Sequence, residues 1–382
     1  MRPRYRGQMA RQRENDACPG ALQTHSAADG QLARIRLPGG LIDAAQLEAV
    51  ALAAQDLGAP GLELTSRGNI QIRAVSDAAA VADRLRAAGL LPSPRHERVR
   101  NIVASPLSGR LGGVGDVRAV TAALDAAVLR DDRIVDLPGR FLFSIDDGRG
   151  DVSGLSADVG VHLVDERRAA LLLAGRDTGV RIDTDDAVDT LLAVAHRFLD
   201  VRGKCWRVAE LADPQVLLDG LAPSSGAGAT WPVTTRPPVG WLEQTDGRIT
   251  LGAAVPLGVL DAEVARYLAA VAAPMAVTPW RSVLLFDLDE DTADVALRVL
   301  APLGLVFDEN SPWLAVSACT GSPGCAHSAA DVRADAAAAL AAAPAVETHR
   351  HFVGCDRACG SPAEGQVLVA TGDGYRPRDA HP

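Results

Sequence analysis

The chain has 382 residues, of which 48% are hydrophobic and 23% charged, a composition typical of folded globular domains. Its formal charge is -10 and only 4% of its residues are aromatic, so it lacks the basic surface and stacking side chains of a nucleic-acid-binding protein. It contains no apolar run long enough to predict a membrane span, and its Arg-rich start has no apolar segment typical of a secretory signal. We therefore expect a cytoplasmic protein that binds neither nucleic acid nor membrane.

The first third of the chain predicts a β-α-β-β-α unit that follows an irregular segment. An alternating pattern over residues 32–37 ends at Pro38-Gly39-Gly40, as a strand does before a turn. Asp43 then precedes an apolar-periodic stretch and is placed to cap a helix. The predicted elements are a strand at 32–37, a helix at 44–57, a hairpin at 61–74 and a helix at 77–88. This order is that of a ferredoxin-like half.

The same order of elements returns in the second part of the chain. The pattern predicts a strand at 248–251, a helix at 260–272, a strand pair at 275–288 and a helix at 291–302. The segment Thr65-Ser66-Arg67 matches Thr278-Pro279-Trp280-Arg281, which aligns Arg67 with Arg281. We interpret the repeat as two related halves packed about a pseudo-twofold axis; the alternative is coincidence between two ordinary β-α-β units.

The predicted fold class is α+β: duplicated ferredoxin-like half-domains with pseudo-twofold symmetry plus two α/β cofactor-binding domains. Residues 116–201 alternate helix and strand signals, with a strand over 140–145, and residues 221–240 are rich in Pro, Gly, Ser and Thr, as linkers are. The predicted boundaries are 1–29 for an irregular segment, 30–100 for the first half, 101–220 for the first α/β domain, 221–240 for the linker, 241–308 for the second half and 309–382 for the cluster-binding domain.

Four of the six cysteines form two groups near the end of the chain, Cys319 with Cys325 and Cys355 with Cys359. Four thiolates that converge from two loops suit an iron–sulfur cubane, and nearby glycines allow backbone N–H groups to approach the sulfurs. Structural zinc is the alternative, although its paired ligands are usually separated by two to four residues and the first gap here holds five. Buried thiols without a ligand are the third interpretation.

Other candidate ligands carry weaker signals. The remaining cysteines, Cys18 and Cys205, have no partner at a metal-binding spacing, so we interpret them as free buried thiols. His327, His349 and His351 lie near the cysteine loops in sequence but form no recognisable set of two His and one carboxylate. We therefore assign none of these histidines as a metal ligand. No P-loop or dinucleotide-binding glycine motif is present, so reducing equivalents should arrive from a partner.

The cysteine spacing and the duplicated halves resemble those of the siroheme-dependent nitrite/sulfite reductase superfamily, over about residues 18–375. Within it, segments 17–20, 64–71 and 353–360 are most similar to the precorrin-3B synthase family. The resemblance implies that Cys319, Cys325, Cys355 and Cys359 bind a [4Fe–4S] cluster, with Cys359 at the position of the thiolate that bridges cluster and haem. It further implies that Arg34, Arg100 and Arg140 bind substrate and that Arg67 binds a tetrapyrrole carboxylate. The resemblance gives weaker support for a functional role of Arg36, Arg73 and Arg281.

Two positions depart from the reductase pattern. Leu142 replaces a basic residue, which removes a cation that reduction of a small oxyanion would use. Glu63 replaces an arginine that contacts siroheme, and we expect its carboxylate to repel the carboxylates of that cofactor. Both changes favour a relative for which an anionic tetrapyrrole is the substrate, held by the remaining arginines.

The resemblance implies hydroxylation of precorrin-3A at C20 with O2, and formation of a γ-lactone, in aerobic cobalamin synthesis. The electrons would come ultimately from NADH through an external ferredoxin or reductase. An all-cysteine cluster has no open position for O2, so a second iron is expected, mononuclear non-haem iron in preference to siroheme. We expect a monomer. The alternatives are a siroheme-dependent assimilatory sulfite or nitrite reductase and a non-catalytic metal-binding module.

Overall fold

The computed structural model describes residue 16 and residues 18–343, 348–362 and 364–378. The Arg-rich start of the chain, residue 17 of the segment 17–20, part of the alanine-rich stretch before residue 348 and the last four residues lie outside this part. Within it, no helix has both the length and the apolarity needed to span a bilayer.

The first half has the predicted β-α-β-β-α order. Asp43 caps its first helix in a capping box: its side chain accepts a hydrogen bond from the Gln46 backbone, and the Gln46 side chain accepts one from the Asp43 backbone. A short strand precedes the unit, so the segment predicted to be irregular is ordered at its end. The elements are β1 His25–Ala27, β2 Gly30–Ile35, β3 Leu41–Ile42, α1 Ala44–Leu57, β4 Gly61–Leu64, β5 Ile70–Val75 and α2 Ala78–Ala87.

A mixed α/β region follows, in which a five-stranded sheet packs against two helices. Apolar side chains such as Phe141, Phe143 and Phe198 fill the layer between sheet and helices and are fully buried. The elements are β6 Ile102–Ala104, α3 Arg118–Arg130, β7 Phe143–Asp146, β8 Val159–Leu163, β9 Arg168–Leu173, β10 Arg176–Asp183 and α4 Ala187–Val201. The strand order is β10-β9-β8-β7-β6.

The second half repeats the first, and each half contributes a strand to the sheet of the other. The elements are β11 Gly240–Glu243, β12 Ile249–Ala254, β13 Val259–Asp261, α5 Ala262–Ala270, β14 Met275–Val277, β15 Ser282–Leu288 and α6 Glu290–Leu300. The two sheets have the orders β1-β2-β5-β4-β13 and β11-β12-β15-β14-β3. Because β3 and β13 are exchanged and α1 packs on α5, the halves share one hydrophobic core about a pseudo-twofold axis.

The turns of the two halves match in detail and correct one sequence alignment. In the first half the Thr65 N–H donates to the Asn69 carbonyl, and in the second the Thr278 N–H donates to the Ser282 carbonyl, both at 2.9 Å. The left-handed residue in these turns is Gly68 at φ 66° and Arg281 at φ 57°. Arg281 therefore corresponds to Gly68, and the alignment of Arg281 with Arg67 is wrong by one residue.

The last region is a four-stranded sheet with one helix. Asp331 caps this helix by accepting a hydrogen bond from the Ala334 backbone. The elements are β16 Val316–Ala318, α7 Val332–Ala342, β17 Arg350–Val353, β18 Gln366–Thr371 and β19 Gly374–Pro377. The strand order is β16-β17-β18-β19, and the first three strands run parallel.

Candidate functional site

The fold brings the two cysteine groups to the same edge of the last sheet. β16 and β17 are parallel neighbours, so their carboxyl ends lie side by side, and Cys319 follows β16 as Cys355 follows β17. The Cys319 N–H donates to the Phe352 carbonyl at 2.9 Å, and the Gly354 N–H points at the Cys319 sulfur at 3.4 Å. The loops that begin there carry Cys325 and Cys359. The spacing in sequence thus corresponds to a convergence in space.

Electrostatic coupling shows that the four thiols are neighbours. Burial raises the pKa of the Cys359 thiol, and the nearby thiols of Cys319, Cys355 and Cys325 raise it further. The loops are held by short turns, in which the Cys325 N–H donates to the Gly321 carbonyl and the Ala358 N–H to the Cys355 carbonyl. All four thiols are free of disulfides.

The four sulfurs are not gathered as closely as a single tetrahedral ion requires. Tetrahedral zinc with four sulfur ligands needs sulfur atoms about 3.8 Å apart. Within the described residues, no three of these sulfurs lie within 4.8 Å of one another. A cubane has an iron at each of four corners and holds its thiolates farther apart than one ion does. The donor set of four neighbouring thiols and a backbone N–H therefore fits an iron–sulfur cluster.

A group of arginines lies on the first sheet and the loops beside it. Arg34 and Arg36 share one face of the chain because side chains alternate along β2. Burial lowers the pKa of Arg34 below its ordinary value. Burial and the neighbouring Arg34 lower the pKa of Arg36 to about 9, and burial and Arg207 lower that of Arg67 to about 10. Arg140 is exposed, lies over the Trp206 ring and acts electrostatically on Arg34. Cys18, Glu63 and Asp158 oppose these shifts only in part, so positive charge is in excess in this group.

The excess of positive charge is clearest at Arg36. Its side chain is buried, and its Nη2 donates to the Pro19 carbonyl at 3.3 Å. Its Nε and Nη1 are also buried and have no hydrogen-bond partner in the described part of the chain. A buried guanidinium with two unused donors costs free energy unless an anion binds near it. The geometry therefore fits the carboxylates of an anionic ligand.

Cys18 belongs to this arginine group rather than to an isolated buried site. Its thiol donates to the Gly139 carbonyl at 3.2 Å. Arg34 Nη1 lies 3.8 Å and Arg36 Nη2 3.9 Å from its sulfur. Cys205, in contrast, is a partly buried thiol that donates to the Glu210 carbonyl at 3.4 Å.

Two positions that the sequence analysis singled out, Arg100 and Leu142, provide no unpaired cation for an anion in the structure. Arg100 is buried and donates through Nε and Nη2 to both oxygens of Asp125, each at 2.7 Å. Leu142 is buried in a small apolar cluster that includes Val103 and Trp280. Arg100 is thus held in an ion pair, and the departure from the reductase pattern at Leu142 is an apolar contact.

Glu63 is not the source of repulsion that its position suggested. It is buried and accepts a hydrogen bond from Arg333 Nη2 at 2.5 Å and from Gln71 Nε2 at 3.0 Å. Arg73 Nη1 lies 3.8 Å from its Oε2. Since two cations from different parts of the chain compensate its charge, the expected repulsion of tetrapyrrole carboxylates is wrong.

The histidines near the cysteine loops separate into an exposed residue and a buried pair. His327 is exposed. The Ser317 hydroxyl lies 2.7 Å from His349 Nε2 and 2.8 Å from His351 Nδ1, and His351 Nε2 lies 3.0 Å from the Cys359 carbonyl. Burial lowers the pKa of His351 to about 4. Its other nitrogen faces a carbonyl, so His351 supports the Cys359 loop by hydrogen bonding.

A compact group of carboxylates also lies outside the cysteine loops. Asp146, Asp147 and Asp151 are the one set of three potential ligands within 4.8 Å in the described residues. Asp146 accepts hydrogen bonds from four backbone N–H groups and from Ser153 Oγ, and Arg149 donates to both oxygens of Asp147. The oxygens of Asp146 and Asp147 accept from internal donors, and within the described residues the group consists of carboxylates alone, so it is not a set of two His and one carboxylate for a second iron.

Sequence reasoning gave Arg36 too little weight and missed Arg207 and Arg333, which the structure places near the site. Arg36 had a readable signal, because the alternation Arg34-Ile35-Arg36 puts both arginines on one face. Arg207 forms an ion pair with the buried Asp158 at 2.7 Å, and nothing in the sequence pairs positions so far apart. The same is true of Arg333 and Glu63, which lie 270 residues apart.

Comparisons with known proteins agree with this architecture. The family model for the nitrite/sulfite reductase ferredoxin-like half domain matches residues 25–88 and 231–303. The chain is similar in structure to NirA of Mycobacterium tuberculosis, with a TM-score of 0.74 at 20% identity, over 91% of this chain and 73% of that one.

Two curated relatives are similar in sequence. A precorrin-3B synthase from Sinorhizobium sp is 26% identical over 378 residues, which is 94% of this chain and 81% of the relative. A ferredoxin–nitrite reductase from Synechococcus elongatus is 32% identical over 127 residues, which is 31% of this chain and 25% of that relative. The first similarity spans both halves and the cysteine loops, and the second covers about a third of the chain.

Proposed function

Because the chain belongs to the nitrite/sulfite reductase superfamily, we propose that it is a precorrin-3B synthase, an oxidoreductase of aerobic cobalamin synthesis. The observation that carries this proposal is the similarity to a precorrin-3B synthase along 94% of the chain. The apolar surroundings of Leu142 support it, because a site that reduces small oxyanions would gain from a cation there.

The proposed reaction is hydroxylation of precorrin-3A at C20, followed by closure of a γ-lactone from the ring A acetate. One atom of O2 enters the substrate and the other leaves as water; two electrons come from NADH through an external donor, and the two protons of the water come from NADH oxidation and from solvent. The electrons reach this chain from a ferredoxin or a reductase. Steady turnover of the purified chain with NADH alone would contradict that part of the proposal.

In this proposal the arginine group binds the carboxylates of the tetrapyrrole. Arg36 contributes two unpartnered N–H groups, and Arg34 is oriented by Gln71 Oε1, which accepts from its Nε at 2.7 Å and also from its Nη2. Arg67 and Arg140 add positive charge at the edges of the group. Arg100 acts indirectly, since its ion pair with Asp125 holds α3 against the start of β6.

Cys319, Cys325, Cys355 and Cys359 would hold the [4Fe–4S] cluster. Such a cluster supplies single-electron transfer, and a second iron, mononuclear non-haem iron in preference to siroheme, supplies the reactivity toward O2. The residues around the thiols hold the loops: Gly354 donates its N–H toward Cys319, and His351 bonds the carbonyl of Cys359.

The experiment that tests the function compares product formation from precorrin-3A with and without O2, with a chemical reductant and a ferredoxin present. We expect product only with O2, and one oxygen atom of the product to come from labelled O2. Product formed without O2, or product that carries only water-derived oxygen, would contradict the proposal.

A siroheme-dependent sulfite or nitrite reductase is the second candidate, favoured by the nitrite reductase relative and the NirA-like fold. The visible spectrum of freshly purified protein separates the two functions. Isobacteriochlorin bands together with reduction of sulfite or nitrite would favour the reductase, and their absence would remove it.

A further inference from the structure

A buried ion network joins the first ferredoxin-like sheet to the cysteine loops. At its centre is Glu63 on β4, whose side chain is 7% exposed. Arg333 on α7 donates to Glu63 Oε1 at 2.5 Å, and Arg73 on β5 lies 3.8 Å from Glu63 Oε2. Since α7 lies between the two cysteine groups in sequence, the pair with Arg333 connects that region to the sheet.

Arg73 extends the network to the backbone of the first cysteine loop. Its Nε and Nη2 donate to the two oxygens of Asp29, each at 2.8 Å. Its Nη2 also donates to the carbonyl of Gly324 at 2.6 Å. Gly324 is buried and directly precedes Cys325, whose thiol lies within electrostatic reach of Arg73. The position of Arg73 therefore determines where this loop can rest.

Positive groups outnumber negative ones in this network by three to two, and Glu63 is one of the two carboxylates that compensate them. Three guanidinium groups, of Arg73, Arg333 and Arg281, act on two carboxylates, of Glu63 and Asp29. Burial and the neighbouring Arg333 lower the pKa of Arg281, while Glu63 opposes that change. Loss of the Glu63 charge would leave these buried cations to repel one another.

The ferredoxin-like fold itself does not require this network. In the second half, Ala276 lies at the position of Glu63, because Glu63 pairs across the sheet with Gln71 as Ala276 pairs with Leu284. By the same register Phe286 lies at the position of Arg73, and both residues are buried in an apolar cluster. The ionic contacts are thus an added feature of the half that faces the cysteine loops.

We propose that Glu63 is a positioning residue that fixes the loop of residues 319–325 against the first sheet, through Arg73 and Arg333. The proposal rests on the proposed function in one respect, since Cys325 in this loop is assigned as a cluster ligand. Through that loop, Glu63 determines how firmly the cluster is retained, without contact with the cluster or the substrate.

Glu63→Gln in the full-length protein tests the proposal, because it keeps the shape and removes the charge. We expect hydrogen exchange at the amides of Ser322, Cys325 and Ser328, which close this loop, to be at least about tenfold faster than in the wild type. Loss of cluster absorbance under an iron chelator should accelerate by a similar factor. Asp294→Asn, which removes a carboxylate from an exposed ion pair with Arg298, is the matched control and should change neither rate.

Two further variants separate loss of the Glu63 charge from misfolding of Glu63→Gln. Glu63→Asp retains the charge and should remain within about threefold of wild type in both rates. Arg333→Gln changes a partly exposed residue, so it should fold even if Glu63→Gln does not, and it should also release the loop. Wild-type exchange in Glu63→Gln or Arg333→Gln, or equal losses in Glu63→Asp and Glu63→Gln, would overturn the proposal.

The exchange measurement also separates this inference from the proposed function. A wild-type chain that contains no iron or sulfide would contradict the assignment of the cluster. The effect of Glu63→Gln on the loop amides would still decide whether Glu63 positions the loop.

Discussion

The two ferredoxin-like halves have the same backbone and opposite chemistry on one face of their sheets. The turns Pro38-Gly39-Gly40 and Pro256-Leu257-Gly258 correspond, with left-handed residues at matching places. When residues are counted back from these turns along β2 and β12, Arg34 aligns with Gly252. The first half holds the row Arg34, Gln71 and Glu63, and the second holds Gly252, Leu284 and Ala276.

This difference supports the proposal that the first half binds the ligand. In the second half Leu284 and Ala276 of the row pack with Leu107 in a small apolar cluster and contribute to stability. In the first half Arg36, beside the row, has buried donors without a partner in the described residues, which costs stability unless an anion binds. At the position of Arg36 the second half has Ala254. We propose that of the two copies of one framework, the first is the binding surface.

The largest effect should come from removal of a thiol in the last region of the chain, which contacts Glu63 of the polar row through Arg333. Cys359→Ser should abolish the cluster, so that sulfide falls to background, iron falls by about four per chain and product formation is lost, because a hydroxyl is a poor ligand for this iron. Iron and sulfide analysis with the O2-dependent assay measures both. Cys205→Ser is the matched control and should retain metal and activity, since the Cys205 thiol only donates to a backbone carbonyl. Full cluster content in Cys359→Ser would refute the ligand assignment.

Arg36→Ala copies the second half onto the first and should have the next largest effect. We expect kcat/KM for precorrin-3A to fall about 100-fold, because two donors to a substrate carboxylate are lost. The midpoint of thermal unfolding should hold or rise, because an uncompensated buried charge is removed. Arg84→Ala, which breaks an exposed ion pair with Asp56, should change neither quantity appreciably. A large drop in stability with unchanged kcat/KM would mean that Arg36 is structural.

A reciprocal exchange at the centre of the two rows should have opposite consequences in the two halves. Gln71→Leu frees Arg34 from its acceptor and should lower kcat/KM about tenfold with little change in unfolding free energy. Leu284→Gln buries an amide in an apolar cluster and should cost about 2 kcal/mol of unfolding free energy with near-normal kcat/KM. Steady-state kinetics and denaturant unfolding measure the two effects. Similar changes in both variants would erase the distinction between the halves.

The smallest expected effect concerns Asp151, a carboxylate outside both halves. It reports how much unfolding free energy a buried charge costs. Burial raises the pKa of Asp151 to about 7 from its ordinary value of 3.8, with Asp146 and Asp147 adding to the rise and Arg149 opposing it. Wild-type stability from this group is therefore full below about pH 4 and is lost as the pH rises through 7.

Asp151→Asn tests that cost, because the amide stays neutral and can still accept from Ser105 Oγ, which lies 2.6 Å from Asp151 Oδ1. We expect the variant to be more stable than the wild type by about 2 kcal/mol at pH 8 and equal to it near pH 3. Denaturant unfolding at the two pH values measures this. A variant that is less stable at pH 8 would contradict the assignment.

Local patterns sufficed for much of the fold and for the cysteines. The capping residue Asp43 and the apolar period predicted a helix at 44–57, and α1 has those bounds. The duplication was also visible, and the exchanged strands confirm the paired halves. The cysteine spacing predicted that two loops converge, and the structure shows the reason: β16 and β17 are parallel neighbours, so Cys319 and Cys355 follow them at one edge of the sheet.

Contacts between distant segments could not be predicted from the sequence. Glu63 was expected to repel a ligand, yet its charge is compensated by Arg333, which only the packing of α7 brings near. Arg100 was assigned to substrate binding, and its pair with Asp125 follows from the approach of α3. A one-residue error in the alignment of Arg281 arose because its turn places a non-glycine residue at positive φ.

The most direct test of the account is an anaerobic count of iron and acid-labile sulfide in freshly purified protein, combined with electron paramagnetic resonance. The account predicts about four sulfides and about five irons per chain, with the signal of a reduced [4Fe–4S] cluster and a separate mononuclear iron signal. Zinc in place of iron, or iron without sulfide, would contradict it.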